Sequence, residues 1–372
     1  MDESQPFELQ PILTAERDPI WKVPPFEIVE EYDWEQARAF AETIPEHVEL
    51  KGGHQLRDRF DRGKGVKVAV LDTGISKRHV QSGDLQNCFK DARDFTGSRY
   101  SWDDLHGHGT HCAGIIAADN EDTGTSSILD QCELYAGKVL GDSGSGSSAG
   151  IARGVDWAVE NGCHVISMSL GGGYSSATHQ ALRRAEAAGV CVVAAAGNSG
   201  RRGVGYPAAN NDVCHSIAAV DFNYRIASFS SVGEANDFAD FGVNVYSTYR
   251  GGGYARLSGT SMSTPNMAAV VGAVMALEFK ILGKLVTRRL AEWDKFFRDP
   301  RWLVDRGSRG SDSYYGHGTI NFPSLIDTYE GELKKQPGPG PKPPPPGEND
   351  FELTIPVNIP PGHYILDYKR PL

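Results

Sequence analysis

The chain has 372 residues, of which 40% are hydrophobic, and its formal net charge is −11 at pH 7. This length and apolar content suffice for one large domain with additions at its ends. The acidic balance and the lack of a basic cluster argue against a nucleic-acid partner. A membrane span needs about 20 apolar residues, and we expect none here. The protein is expected to be a monomer.

Residues 1–45 form an N-terminal extension that is acidic and polar. It lacks the positively charged start and the apolar core of a secretory signal. We therefore expect a cytoplasmic protein, or a secreted one if this sequence is a processed form. The extension carries Pro24 and Pro25 in the stretch VPPF, and a helix candidate follows at 33–42.

The apolar run at 66–71 predicts a buried parallel strand, which ends at Asp72. A carboxylate at the C-terminal end of such a strand faces the crevice in which open α/β sheets bind ligands. A glycine-rich turn then leads into a helix, with His108 at its mouth. His106, His108 and His111 also suggest zinc ligands, but their spacing lacks the acidic partner of the common zinc motif.

The middle of the chain alternates between helix and strand patterns. Helices are predicted at 149–161 and 177–189, and strands at 164–170 and 190–197. Repeats of this length imply a parallel sheet with right-handed crossovers. The six cysteines form no close pairs in the sequence, and without an export signal we expect them to be free thiols.

The segment GTSMSTP, at 259–265, places Ser261 at the turn before an apolar helical run. A serine hydroxyl becomes a good nucleophile when a base takes its proton and donors hold the oxyanion. The unpaired N–H groups of a helix start supply one donor. The amide of Asn198, in a Gly-Asn-Ser-Gly turn, supplies a second, unless it is only a turn residue. Asp72, His108 and Ser261 follow one of the known chain orders of the serine hydrolase triad.

These segments resemble the subtilisin family of serine proteases, in particular its proteinase K-like and thermitase-like members. The matching motifs are VAVLDTGI, HGTHCAG, LYAGKVL, SLGGGYSS, AAAGNSG and GTSMSTP, in one order over residues 66–270. The resemblance implies an α/β fold of three layers, with a mainly parallel central sheet and helices on both faces. It implies that Ser261 is the nucleophile, that His108 is base and acid, and that Asp72 orients His108. Asn198 and the N–H of Ser261 would form the oxyanion hole.

The resemblance also implies where a peptide substrate binds. Two chain edges are expected to take it as an added β-strand through backbone hydrogen bonds, which tolerate many sequences. A pocket for the side chain before the cleaved bond is expected beside them. The edges are Gly144, Ser145, Gly146, Ser169, Leu170, Gly171 and Gly172, and the pocket residues are Ala196, Gly197 and Gly205.

Family members often hold a structural calcium ion, and the resemblance implies one here. Its ligands would be the Asp237 carboxylate and the carbonyls of Asn211 and Val213, since oxygen donors suit a hard cation. The alternative is that Asp237 is an ordinary surface aspartate.

The expected function is a serine endopeptidase of broad specificity, which cleaves polypeptides through an acyl-enzyme. A catalytically silent scaffold and a serine esterase or peptide ligase stay open as alternatives. The expected domains are the extension 1–45, a catalytic domain 46–335, a Pro/Gly-rich linker 336–348 and a tail 349–372. Family precursors carry an inhibitory prodomain or, in intracellular members, a short blocking peptide. This extension is short for a folded prodomain, so we expect it to inhibit by crossing the substrate edges. The alternative is that it is a docked or disordered tail.

Overall fold

A computed structural model describes residues 18–38, 44–119, 124–201 and 203–335. The predicted linker and tail, from 336 onward, lie outside the described residues. The described strands are β1 (Ile20–Lys22), β2 (Glu27–Tyr32), β3 (Lys67–Asp72), β4 (Phe89–Asp94), β5 (Glu133–Lys138), β6 (Ser145–Ser147), β7 (Val165–Met168), β8 (Cys191–Ala195), β9 (His215–Val220), β10 (Phe238–Phe241), β11 (Val245–Thr248), β12 (Tyr254–Ser258), β13 (Leu303–Val304) and β14 (Thr319–Ile320). The described helices are α1 (Trp34–Arg38), α2 (Glu46–Leu50), α3 (Gly53–Arg57), α4 (Lys77–Ser82), α5 (His108–Ala117), α6 (Ser148–Glu160), α7 (Ser176–Ala187), α8 (Thr260–Leu282), α9 (Leu290–Phe297) and α10 (Phe322–Leu333).

The central sheet is mainly parallel, as predicted. Its nine strands lie in the order β13-β14-β10-β9-β8-β7-β3-β5-β4. Only β13, at one edge, pairs antiparallel with its neighbour. Parallel pairing brings the C-terminal ends of β3, β7 and β8 to one edge of the sheet, where the predicted catalytic segments begin.

Helices cover both faces of this sheet, because successive side chains of a strand point to opposite sides. Val68 and Val70 of β3 pack into the core layer that also contains α5 and α8. Ala69 and Leu71 pack into the opposite layer, with α6 and α7. The three-layer α/β architecture expected from the sequence is therefore confirmed.

Helix α8 carries the predicted nucleophile into the centre of the protein. It has 23 residues, and its most apolar window has a mean hydropathy of 1.4, so its length and composition would allow it to cross a membrane. That contradicts our expectation that no run is so long and apolar. However, 78% of its most apolar window is buried inside the protein, which makes it a core helix.

The predicted elements of the middle region are present, with small differences at their ends. The helix expected at 177–189 is α7, which ends at Ala187. Gly189 then has a φ of 77°, a left-handed conformation that glycine adopts without strain. All six cysteines are free and buried, as expected.

The N-terminal extension adds two strands to the catalytic domain. Strand β1 pairs antiparallel with β6, and β2 pairs antiparallel with β12. Residues 20–32 therefore cross the domain in an extended form. The short helix α1 follows, within the helix predicted at 33–42.

Candidate active site

Asp72 and His108 form a buried hydrogen-bonded pair. Asp72 ends β3 and His108 begins α5, and Nδ1 of His108 lies 2.8 Å from Oδ1 of Asp72. Both residues are 0% exposed, and Nε2 of His108 has no hydrogen-bond partner. Because the carboxylate accepts a hydrogen bond from Nδ1–H and so holds the proton on that nitrogen, Nε2 keeps its lone pair, as a general base requires.

Asp104 fixes the turn that leads to this histidine, and our sequence analysis missed it. Its Oδ1 accepts hydrogen bonds from the N–H of Gly107 at 2.9 Å and from the hydroxyl of Thr73 at 2.9 Å. Its Oδ2 accepts from the N–H of Thr110 at 2.9 Å. One carboxylate thus ties the start of α5 to the end of β3. The available signal was an acidic residue directly before the glycine- and histidine-rich turn.

Ser261 is the second residue of α8 and is also 0% exposed. Its hydroxyl donates to the carbonyl of Ser169 at 3.5 Å and makes no hydrogen bond to His108. Its own carbonyl accepts from the Sγ of Cys112 at 3.4 Å. Cys112 lies one turn after His108 in α5, so its thiol lies behind the predicted triad. The starts of α5 and α8 are therefore adjacent.

Asn198 is oriented towards the crevice by the start of α8. Its Oδ1 accepts from the N–H and the hydroxyl of Thr260, both at 2.9 Å. Its Nδ2 donates to the carbonyl of Pro25 at 2.6 Å. The amide predicted to hold an oxyanion therefore binds a carbonyl of the N-terminal extension. Among the described residues, the N–H of Ser261 makes no hydrogen bond to that carbonyl.

The extension lies between the two predicted substrate edges. In the β1–β6 pair, Lys22 is opposite Ser145, and the N–H of Val23 donates to the carbonyl of Gly144 at 2.9 Å. On the other side, Lys22 exchanges two backbone hydrogen bonds with Gly171, at 2.8 and 2.9 Å. These are backbone contacts of the kind expected for a bound peptide substrate.

Trp21 anchors the extension upstream of the triad. Only 1% of it is exposed, and its indole N–H donates to the hydroxyl of Ser148 at 2.8 Å. The ring lies against Gly172, where an added Cβ would be 2.8 Å from it. The same apolar layer contains Leu170. Glycine at 172 therefore makes room for a large aromatic side chain.

Phe26 covers the triad histidine. Its ring centroid is 5.2 Å from that of His108 and 6.0 Å from that of His106. Together with the adjacent prolines, it lies over the crevice in which the triad side chains are buried.

The predicted side-chain pocket is joined to the oxyanion turn by hydrogen bonds. The N–H of Gly205 donates to the carbonyl of Ala196 at 3.1 Å, and the N–H of Gly197 donates to the hydroxyl of Thr260 at 3.1 Å. A Cβ at Gly205 would meet no atom within 4 Å, which leaves open space beside it.

The three histidines of the glycine-rich turn do not form a metal site. Nε2 of His111 lies 3.0 Å and 3.1 Å from the carbonyls of Ala255 and Val245, and burial lowers its pKa to about 3. Its ring therefore makes structural hydrogen bonds to the strands β11 and β12. His106 lies at the rim, partly buried. The described residues contain two groups with metal-ligand geometry, and neither includes all three histidines.

Asp237, the predicted calcium ligand, is not an ordinary surface aspartate. Only 14% of its side chain is exposed, and its Oδ2 accepts from the N–H of Ser216 at 2.8 Å. Burial raises its pKa to about 7. Asp237 and Asn211 line one cavity of about 340 Å³, whereas Val213 is buried and does not line it. Calcium ligation by the two carbonyls stays a prediction.

The subtilase family model matches residues 63–318, more than half of the chain. The matched range contains all four residues predicted to act in catalysis. The chain belongs to the subtilase family. Members of this family generally bind structural calcium.

Similar proteins are named as subtilisins or alkaline proteases. Subtilisin DY of Bacillus licheniformis is 39% identical over 286 residues, 76% of this chain and 98% of that protein. Subtilisin Savinase of Lederbergia lenta is 40% identical over 282 residues, which cover 76% of this chain and 98% of that protein. The thermostable alkaline protease of Halalkalibacterium halodurans is 39% identical over 282 residues, which cover 76% of this chain and 73% of that protein. The similarity is thus to alkaline subtilisins, and not specifically to the proteinase K-like or thermitase-like members we expected. The chain is a subtilisin-like serine endopeptidase.

Proposed function

We propose that this subtilase is an endopeptidase of broad specificity, whose active site is blocked by its own residues 20–26. The observation that carries the proposal is the hydrogen bond from Asn198 to the carbonyl of Pro25. Backbone pairing at the substrate edges supports broad specificity, because it reads no side chain.

The chemistry follows from the positions of four residues. Once the extension has left, Nε2 of His108 takes the proton of Ser261 as its oxygen attacks the substrate carbonyl. Asn198 and the N–H of Ser261 hold the oxyanion. His108 then gives its proton to the leaving amine, and water releases the acyl group by the reverse sequence. Asp72 keeps His108 in the required tautomer throughout.

The blocking segment resists its own enzyme for two reasons. The hydroxyl of Ser261 is directed to the carbonyl of Ser169 instead of being activated by His108. Pro24 and Pro25 also have fixed φ angles and no N–H, which restricts how this part of the segment adjusts towards an attacking oxygen. The segment therefore binds as a substrate does, without the alignment that cleavage needs.

A second strand of the extension, β2, also pairs with the catalytic domain, on the far side of the triad from β1. Strand β2 continues the segment along β12, with Glu27 opposite Ser258 and Tyr32 opposite Tyr254. Outside this ladder, Arg250 binds the carboxylate of Glu31 at 3.1 Å. A cut near Phe26 would therefore leave its C-terminal side bound to the enzyme.

The natural substrates we propose are polypeptides. The likeness to bacterial alkaline proteases supports the secreted location rather than the cytoplasmic one. A silent scaffold on this fold would not react with a serine-directed probe, and an esterase would hydrolyse esters without digesting casein.

A fluorophosphonate probe and a casein digest test the catalytic part. We expect labelling of Ser261 alone, casein fragments in the mass spectrum, and loss of both signals in Ser261→Ala with the fold retained. Labelling at another residue, or an active alanine variant, would contradict the triad.

Truncation tests the blocking part. A chain that starts at Ile44 should hydrolyse a short chromogenic peptide without delay, whereas the full chain should show a lag. Equal initial rates without a lag would show that the extension is no inhibitor, while the catalytic assignment would stand.

A further inference from the structure

Three side chains that the catalytic mechanism does not use meet on the far side of the domain. His215 begins β9, Asp237 directly precedes the neighbouring strand β10, and Asp294 lies on α9. Each offers one ligand atom, and these atoms all lie within 4.8 Å of one another. All three residues line the cavity of about 340 Å³.

The hydrogen bonds of this cluster are incomplete. His215 is 1% exposed, its Nε2 has no partner, and its Nδ1 lies 3.9 Å from Oδ2 of Asp237, too far for a hydrogen bond. Asp294 uses Oδ2 in an ion pair with Arg298 at 2.7 Å, but its buried Oδ1 has no partner. Buried polar atoms in native proteins nearly always have partners, so Oδ1 of Asp294 and the imidazole of His215 are available to a further partner.

The charge of the cavity favours a cation. Its lining carries four carboxylates, from Glu186, Asp212, Asp237 and Asp294, against the single guanidinium of Arg298. Arg289, outside the lining, neutralises Glu186, and His179 lies 3.2 Å from Asp212. Among the described residues, no lysine or arginine forms an ion pair with the carboxylate of Asp237, whose close contact is the N–H of Ser216 at 2.8 Å.

The donor set fits calcium poorly. Calcium takes six to eight oxygen ligands, whereas the group closest to Asp237 here includes a buried imidazole. Imidazole with carboxylates suits zinc and similar divalent cations, which accept four ligands at about 2.0–2.2 Å. Ligand atoms around such an ion are about 3.3 Å apart. Nδ1 of His215 and Oδ2 of Asp237, which lie 3.9 Å apart, would therefore have to approach each other by about 0.6 Å.

We propose that His215, Asp237 and Asp294 form a structural binding site for a zinc-type divalent cation, with solvent as the fourth ligand. The ion would join the edge of β9 and β10 to α9. This helix contributes Trp293 and Phe297 to the core, so the ion would stabilise the C-terminal part of the catalytic domain.

The test uses the full chain carrying Ser261→Ala, which prevents self-digestion. Calorimetric titration with ZnCl2 and thermal unfolding with ZnCl2 or CaCl2 are the measurements. We expect one zinc ion at this site, and a Tm that zinc raises more than calcium does at equal concentration. His215→Asn and Asp294→Asn should each weaken zinc binding more than about 100-fold, beyond the loss typical of residues that only support a ligand.

Asp327→Asn is the matched control, because it removes one carboxylate from an exposed pair with Arg59 and should leave zinc binding unchanged. If His215→Asn does not fold, Asp294→Asn still decides. If zinc bound instead to the group Asp72, His108 and Cys112, its affinity would be unchanged in both His215→Asn and Asp294→Asn. Unchanged zinc affinity in the folded ligand variants would overturn the proposal. So would a calcium-specific rise in Tm that is lost in Asp237→Asn but kept in Asp294→Asn.

Discussion

The side-chain amide of Asn198 donates a hydrogen bond of 2.6 Å to the carbonyl oxygen of Pro25. Thr260 fixes the other end of the same amide, so its orientation does not depend on the bound segment. A group preorganised in this way stabilises charge on a substrate carbonyl without having to reorient during the reaction. On the proposed oxyanion role of Asn198, the Pro25 carbonyl occupies the position of a substrate carbonyl.

Replacement of Asn198 by alanine should lower kcat by roughly 10²- to 10³-fold with little change in KM, the typical loss for one oxyanion donor. The rate on a short chromogenic peptide should be measured after any lag has ended. Asn223→Ala, in an exposed loop, is the control and should keep the wild-type kcat. A kcat within about threefold of wild type in Asn198→Ala would refute the oxyanion role.

Trp21→Ala should shorten the lag of the full chain and raise its initial rate. Truncation of a buried tryptophan costs about 3–5 kcal/mol, which corresponds to weakening of the blocking contact by more than about 100-fold. Ile20→Ala is the matched control, because Ile20 is adjacent but 67% exposed. If both variants keep the wild-type lag, Trp21 does not anchor an inhibitor.

Glu31→Gln should have a much smaller effect on the same lag. Its ion pair with Arg250 is exposed on both sides, with 41% and 46% of the two side chains accessible. Such pairs contribute about 1 kcal/mol or less and are screened by salt. The initial rate should rise less than about fivefold, measured at low and at high NaCl concentration. A change as large as that of Trp21→Ala would mean that charge holds the extension.

His79 should make the fold sensitive to acid. It is 0% exposed, Nε2 lies 2.9 Å from the carbonyl of Gly253, and burial lowers its pKa from 6.5 to about 4. Between these two values the unfolded chain binds more protons than the folded one. The contribution to stability is therefore complete above pH 6.5 and is lost as the pH falls towards 4.

His79→Gln removes this titration and keeps a donor for the Gly253 carbonyl. Relative to the variant, the native histidine should lose about 3 kcal/mol of unfolding free energy between pH 7 and pH 4. Urea unfolding of both proteins, each carrying Ser261→Ala, measures the difference at several pH values. A constant difference across this range would show that His79 titrates normally.

The sequence alone determined the parts of this protein that depend on local patterns. The apolar run ending at Asp72, the turn before His108 and the helix start at Ser261 each show their chemistry within about ten residues, and their order indicated the family. Strand and helix periods indicated the parallel sheet, and the resemblance to the family implied the helices on both of its faces.

The tertiary structure decided which distant segments meet. Trp21 binds Ser148 across 127 positions, and Asn198 binds Pro25 across 173. The local sequence VPPF does not show which of its carbonyls accepts the hydrogen bond from Asn198, although its prolines suggested an extended segment. The meeting of Asp237 with Asp294 likewise depends on how α9 packs against the sheet. Strand partners and side-chain clusters arise from the packing of the whole domain, so no local pattern in the sequence specifies them.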